Sequence, residues 1–251
     1  MSLNKDEIEI HPIPVLEDNI IWVWTSKNKA VVIDPALSSP VQEWLERKQL
    51  TLQAILQTHH HLDHIGGTPG LLKDWPEADV IASKNDSRRI PLQTIPVGNK
   101  DMVSIMGYSL EIIEVSGHTN NHIAFFIDAE INNIKTPILF PGDTLFAGGC
   151  GRLFEGSPQD MFNSLICLSK LPRNTKIYCA HEYTESNLRW ANNLYPDDLI
   201  IKKRLTEVIA KREKGDITLP SSIEEELKTN LFLRVKTLDE FTALRVKKDN
   251  W

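Results

Sequence analysis

Thr58-His59-His60-His61-Leu62-Asp63-His64 packs side chains suited to binding two metal ions into a single turn. Imidazole nitrogens and carboxylate oxygens are the donors that borderline divalent ions such as zinc prefer. His59 and His61, two residues apart, can aim at one ion from an extended or tightly turning backbone, and Asp63 and His64 can aim at a second beside it. The preceding segment, Thr51-Leu52-Gln53-Ala54-Ile55-Leu56, has the apolar content of a buried strand. Gly66-Gly67 follows and offers the backbone freedom for a sharp turn. Strand, ligand-rich turn and glycine pair predict a metal site at a sheet edge. The rival, a solvated or tag-like histidine run, fits less well. A tag would sit at a terminus without Asp63, and imidazoles buried beside a carboxylate with no cation leave polar groups unsatisfied.

Composition bounds the remaining classes. At 251 residues the chain suits one large domain or two smaller ones, with 41% hydrophobic residues for a core and an ordinary 25% charged. The net charge of -6 argues against broad nucleic-acid binding while leaving room for a local cationic pocket. No run approaches the ~18 apolar residues of a membrane span. The opening Met1-Ser2-Leu3-Asn4-Lys5-Asp6-Glu7 lacks the basic-then-apolar order of a secretory signal. Cys150, Cys167 and Cys179 are odd in number and lack CxxC spacing, which argues against a disulfide framework and fits a reducing cytoplasm. Without heptads or an interface stripe, a monomer is expected.

Strands are expected at residues 20–24, 30–33, 79–82, 109–115, 122–127, 136–140 and 175–180. A helix with Ser39 as N-cap, Pro40 at its first position and Gln42 closing a capping box should follow the second of these. Ser157-Pro158-Gln159-Asp160 opens another capped helix, with Met161, Leu165 and Leu168 on one face. After His181 the texture becomes helical, over 184–194, 198–214, 222–228 and 237–248, with Ser222–Glu225 and Thr237–Glu240 as caps and Gly215 as a stop. The expected organisation is an α/β domain over 1–181 and an α-helical domain over 182–251.

A two-ion site needs more donors than one turn supplies. His118 follows a strand in Ser116-Gly117-His118-Thr119, Asp143 follows one in Phe140-Pro141-Gly142-Asp143-Thr144, and His181 ends the last strand. All three stand at strand ends, from which they can converge on one edge, and the Asp143 carboxylate can bridge two ions. Asp34, at a strand end beside a turn, either orients a ligand histidine or forms the turn.

These motifs together resemble the metallo-β-lactamase superfamily: T-H-x-H-x-D-H, then G-H-T, G-D-T-L-F and H-E-Y. Several resemble its glyoxalase II (hydroxyacylglutathione hydrolase) branch in particular. These are Asp18-Asn19-Ile20-Ile21-Trp22, the run from Gly142 through Gly149-Cys150-Gly151-Arg152 to Glu155-Gly156, His181-Glu182-Tyr183-Thr184, and the basic Arg245-Val246-Lys247-Lys248-Asp249. The resemblance implies a four-layer αββα sandwich followed by an α-helical C-terminal domain. It also implies hydrolysis of the thioester of S-D-lactoylglutathione to D-lactate and glutathione. Carried over, His59, His61 and His118 would hold one divalent ion and Asp63, His64 and His181 the other, with Asp143 bridging; zinc is expected foremost, with iron or manganese open. Arg152, Tyr183, Arg245 and Lys248 would hold the glutathione moiety, whose two carboxylates suit cationic partners. The alternative within the superfamily is a glutathione persulfide dioxygenase, which uses one iron and fewer of these groups. The chain departs from the branch at Ser116, commonly proline, and at Asn121, usually glycine. Phe154 stands where some members carry a tyrosine that contacts glutathione, implying the loss of one hydrogen bond, about 1 kcal/mol. His60 and His122 are not ligands in the pattern.

Overall fold

The computed structural model describes residues 8–251, so the expectation for the first seven residues lies outside them. One six-stranded sheet runs β1 (Glu9–Val15), β2 (Asn19–Ser26), β3 (Lys29–Ile33), β4 (Thr51–Leu56), β5 (Asp79–Ser83) and β6 (Ile95–Val97) in spatial as well as chain order. Its first three strands are antiparallel and its last four parallel. The second sheet orders β7 (Met102–Ile105), β8 (Tyr108–Glu114), β9 (Ile123–Ile127) and β10 (Ile138–Phe140) antiparallel. The small hairpin β11 (Leu145–Phe146) and β12 (Gly149–Cys150) stands apart; β13 (Lys176–Ile177) and β14 (Ser221–Ser222) complete the second sheet beyond β10.

Period-two alternation sorts each strand between two apolar layers. Trp22, Trp24, Ile33, Leu56 and Ile81 face inward and pack in one cluster with Leu110, Ile112, Phe126 and Leu139 of the second sheet. Their neighbours Ile21, Val23, Val32, Ile55 and Val80 face outward, against Val41 and Leu45 of α1 (Ser39–Lys48) and, past the short α2 (Leu62–Ile65), Leu71 of α3 (Thr68–Asp74). The second sheet carries α4 (Ala129–Asn132) and then α5 (Pro158–Ser169), whose Met161, Leu165 and Leu168 join the larger cluster. The result is helix, sheet, sheet, helix, followed by α6 (Thr184–Leu194), α7 (Leu199–Arg212), α8 (Ile223–Thr229), α9 (Leu231–Arg234) and α10 (Leu238–Asp249).

Three local expectations need correction. Helix α1 starts at Ser39 after Ser38, and neither serine caps it through its side chain; Gln42 instead donates to Gly70 O and Asp74. The strand expected over 175–180 is ladder-paired only at Lys176–Ile177, because the chain then crosses between the sheets: Tyr178 N donates to Leu139 O, and Ala180 O accepts from Ile20 N. Gly66 and Gly67 do not use left-handed freedom, with φ of -60° and -78°. What they need is room, since a Cβ on Gly66 would lie 2.9 Å from Ala36 O and one on Gly67 2.6 Å from the Leu37 carbonyl carbon.

Gly67→Ala should therefore destabilise the protein by about 1–3 kcal/mol through overpacking against backbone. Denaturant unfolding tests this, and an unchanged midpoint would show that the Leu37 segment yields freely.

Candidate metal centre

Every histidine except His11 gathers where the loops after β4, β8, β10 and β13 meet. The turn after β4 is fixed by Asp34, which directly follows β3 with φ +50°. Its carboxylate accepts from Thr58 N and Thr58 Oγ1, both at 2.8 Å, and lies 3.2 Å from His64 Nδ1. Asp34 thus both forms the turn and faces an imidazole. Gly142 must be glycine, because it sits at φ +51° and a Cβ there would lie 2.3 Å from Thr58 Oγ1.

The partners on the far side of each ring decide which nitrogen is bare. Thr58 Oγ1, already donating to Asp34, can only accept from His59 Nδ1 at 3.0 Å. Arg152 O accepts from His118 Nδ1 at 2.8 Å, and Asp18 Oδ1 from His181 Nδ1 at 2.7 Å. The Nε2 atoms of His59 and His118 are left unprotonated; burial works to lower His181, but Asp143 outweighs it and raises the ring above the ordinary imidazole value. His59 Nε2 lies 3.0 Å from His61 Nδ1, and His118 Nε2 lies 3.1 Å from the same atom. Burial holds His59 well below the ordinary imidazole value and lowers His118 and His61 as well. His61 Nδ1 can donate to only one of these two Nε2 atoms, so at least one buried lone pair is left facing the cluster, where a cation would take it.

On the other side, His64 Nε2 and His181 Nε2 each lie 3.5 Å from Asp63 Oδ2. Asp143 joins the two groups: Oδ2 lies 3.4 Å from His118 Nε2, while Oδ1 lies 3.4 Å from His181 Nε2 and 3.6 Å from His64 Nε2. Burial works to raise Asp143, but His64 and His181 outweigh it and keep the group an anion. The His64 imidazole facing it lowers Asp63 further than its burial raises it. Both ring nitrogens of His64 and Asp143 Oδ1 are buried without a hydrogen-bond partner. Three sets of donor atoms fall within 4.8 Å of one another: His59/His61/His118, His59/His64/Asp143 and Asp63/His64/His181. Bare nitrogens, anionic oxygens and unpartnered buried atoms fit hard-to-borderline divalent ions.

His60 and His122 stand apart from those sets. His60 directs its nitrogens at Asp86 (3.3 Å) and Glu155 (3.5 Å). His122, kept neutral by burial, accepts from Asp143 N at 3.2 Å and stacks on His59. It therefore holds the bridging candidate's backbone, a role no spacing in the sequence signals.

A cavity of about 480 Å³ opens from the cluster, and Arg152, Tyr183, Arg245 and Lys248 all line it. Arg152 is exposed, whereas the Arg245 guanidinium is buried against Cys150 O, Gly151 O and Asp249. Lys248 lies over the rings of Trp190 (5.2 Å) and Trp251 (4.5 Å). Burial, then Arg245 and Arg152, push its ammonium down to about 8. Phe154, 64% exposed, stands edge-on to His61 and His118. Sequence reasoning missed Phe146, Asn187 and Trp251 in this wall, since apolar and amide side chains carry no ligand-like spacing.

Two family models together cover nearly the whole chain: "Metallo-beta-lactamase superfamily" matches residues 14–181 and "Hydroxyacylglutathione hydrolase C-terminus" matches 182–251. The chain is 55% identical over 251 residues to a hydroxyacylglutathione hydrolase of Prochlorococcus marinus (strain MIT 9211), covering 100% of this chain and 99% of that one. It is 56% identical over 247 residues to the enzyme of the same name from strain NATL1A, with 98% of each covered. The crystal structure of ETHE1 from Myxococcus xanthus shares the fold at a TM-score of 0.69 and 23% identity, over 95% of this chain and 90% of that one.

Asp34→Ala would strip the turn of its acceptor and His64 of the carboxylate that faces it. The expected loss is about 3 kcal/mol in metal-free protein, the scale for breaking a buried charged network. Unfolding in the presence of a chelator measures it, and a loss under about 0.5 kcal/mol would contradict this account of the turn.

Proposed function

The chain belongs to the hydroxyacylglutathione hydrolase family of the metallo-β-lactamase superfamily, and from that premise we propose that it hydrolyses S-D-lactoylglutathione to D-lactate and glutathione. The observation that carries this is one cavity with two unlike walls: the imidazole–carboxylate cluster on one side and Arg152, Arg245 and Lys248 on the other. A thioester with an anionic tail matches both at once. His59, His61 and His118 would hold one ion, Asp63, His64 and His181 a second, and Asp143 both, with zinc the ion expected in the cell. The second set supports this reading over the one-iron dioxygenase. Residues 1–181 would supply the catalytic part and 182–251 the helical, glutathione-binding part of a cytoplasmic monomer. Among the described residues no helix is long and apolar enough to cross a membrane.

Bound divalent ions supply the acidification of a water molecule and the polarisation of the thioester carbonyl. The residues do the rest. Asp143 accepts a hydrogen bond from the attacking water, its carboxylate held anionic and its backbone held by His122. Arg152 and Lys248 pair with the glutathione carboxylates. Arg245 faces the same cavity while fixing the Cys150–Gly151 backbone from which Arg152 projects. Burial pushes the Cys150 thiol up to about 11, so it stays protonated and is no rival nucleophile at neutral pH. The departing thiol, with a pKa of about 8.5, leaves as thiolate without a dedicated acid.

Steady-state hydrolysis of S-D-lactoylglutathione should be lost on chelation and restored by zinc; Asp143→Ala and His61→Ala should abolish it. Near-normal turnover in either variant would overturn the reading. KM should rise as pH passes about 8 and Lys248 loses its charge, with kcat little changed. Lys248→Met should raise KM roughly tenfold or more at neutral pH, from loss of a charged hydrogen bond, and should flatten that rise. A KM that climbs equally in the variant would assign the dependence to another group.

A further inference from the structure

Asp18-Asn19 is a motif of the sequence to which the reading above gives no role. Asp18 lies in the turn after β1, and Asn19 is the first residue of β2. The pair is anchored to the segment that carries His181. Glu182 N donates to Asp18 O (2.9 Å), Ile20 N to Ala180 O (2.7 Å), and Asn19 forms an antiparallel bridge with His181.

From this anchored position the two side chains reach different members of one donor set. Asp18 Oδ1 accepts from His181 Nδ1 at 2.7 Å, which points Nε2 toward Asp63 and Asp143. Asn19 Nδ2 donates to Asp63 Oδ2 at 3.0 Å and to Asp63 O at 3.3 Å. Asp63 Oδ2 is the oxygen that faces His64 and His181. The Asp63 side chain is 39% exposed, against 9% for Asp143, so rotation into solvent is open to it unless something holds it. On the far side of His181 the Tyr183 ring stacks nearly parallel, 7° from its plane at 4.8 Å.

The other set is backed differently. His59 is held by the Thr58 hydroxyl and His118 by the Arg152 carbonyl, both neutral acceptors, and neither depends on Asp18 or Asn19. A carboxylate behind an imidazole fixes its ring and strengthens its donor nitrogen, and removing such a support typically weakens metal binding 10–100-fold. Resting on the two-ion reading, we propose that Asp18 and Asn19 are positioning residues for the Asp63/His64/His181 ion alone, so that this one dipeptide sets its affinity independently of the His59/His61/His118 ion.

The test is a cobalt(II) titration of the metal-free full-length protein, followed by its d–d absorption, with zinc content measured in parallel. Wild type should take up two ions per chain. Asp18→Ala and Asn19→Ala should bind one ion as wild type does and the other at least tenfold more weakly. Asp18→Asn, whose amide oxygen still accepts from His181 Nδ1, should recover part of the loss. Two ions retained at wild-type affinity, or both weakened equally, would overturn the proposal. Should Asp18→Ala fail to fold, Asp18→Asn and Asn19→Ala decide it by the same criterion. A wild-type protein that takes up fewer than two ions would defeat the two-ion reading itself, and this inference with it.

Discussion

Asp143 imposes the constraint on which the rest of the structure depends: a buried carboxylate whose two oxygens face two different groups of imidazole nitrogens. Burying an anion is costly by several kcal/mol unless it is paired, and a buried nitrogen lone pair left without a donor or a cation adds to that cost. On the outer side of three rings the chain supplies acceptors, with His59, His118 and His181 donating to Thr58, Arg152 and Asp18. The inner side is left for cations.

The two sheets exist, in this sense, to bring four loop ends to one edge. Continuous apolar strands such as Ile20–Thr25 are buried on both faces, which fixes their register and hence where each loop emerges. Close approach does the final positioning: Gly142 meets Thr58, and Gly67 meets the Leu37 segment, at distances only a residue without Cβ allows. Asp34 and Asp18 then set two of the rings from outside the donor sets. The C-terminal helices reach into the same region. Asn230 donates to Phe146 O and Gly149 O, and the fully buried Glu226 accepts from Gly148 N. The hairpin after Asp143 is thus held from the helical side, so the two walls of the cavity share one scaffold.

Much of this was legible in the chain. The ligand-rich turn, His118, Asp143 and His181 on the loops that follow strands, and the capped helices α5, α7, α8 and α10 carry local signals that depend on spacing or on a capping residue, and those survive folding. What escaped depends on contacts distant in sequence. Strand β1 carries Pro12 and Pro14, which a sheet accepts at an edge position such as the one it holds. The two-residue strands β11, β12 and β14 have no periodicity to detect, and β14 joins the second sheet from within a region that otherwise reads as helical. His122 looked like a bystander because its role is to hold a backbone N–H that only the fold brings near. Gly66-Gly67 was legible as a special site but for the wrong reason: freedom of turn was expected where lack of space is the cause.

The central claim is that two ions act together on one thioester, with Asp143 joining them. The most direct measurement is turnover of S-D-lactoylglutathione as metal-free protein is titrated with zinc, with bound metal counted at each point. The account predicts that activity rises with the second equivalent and saturates near two ions per chain. Full activity at one equivalent, unchanged by the second, would contradict it.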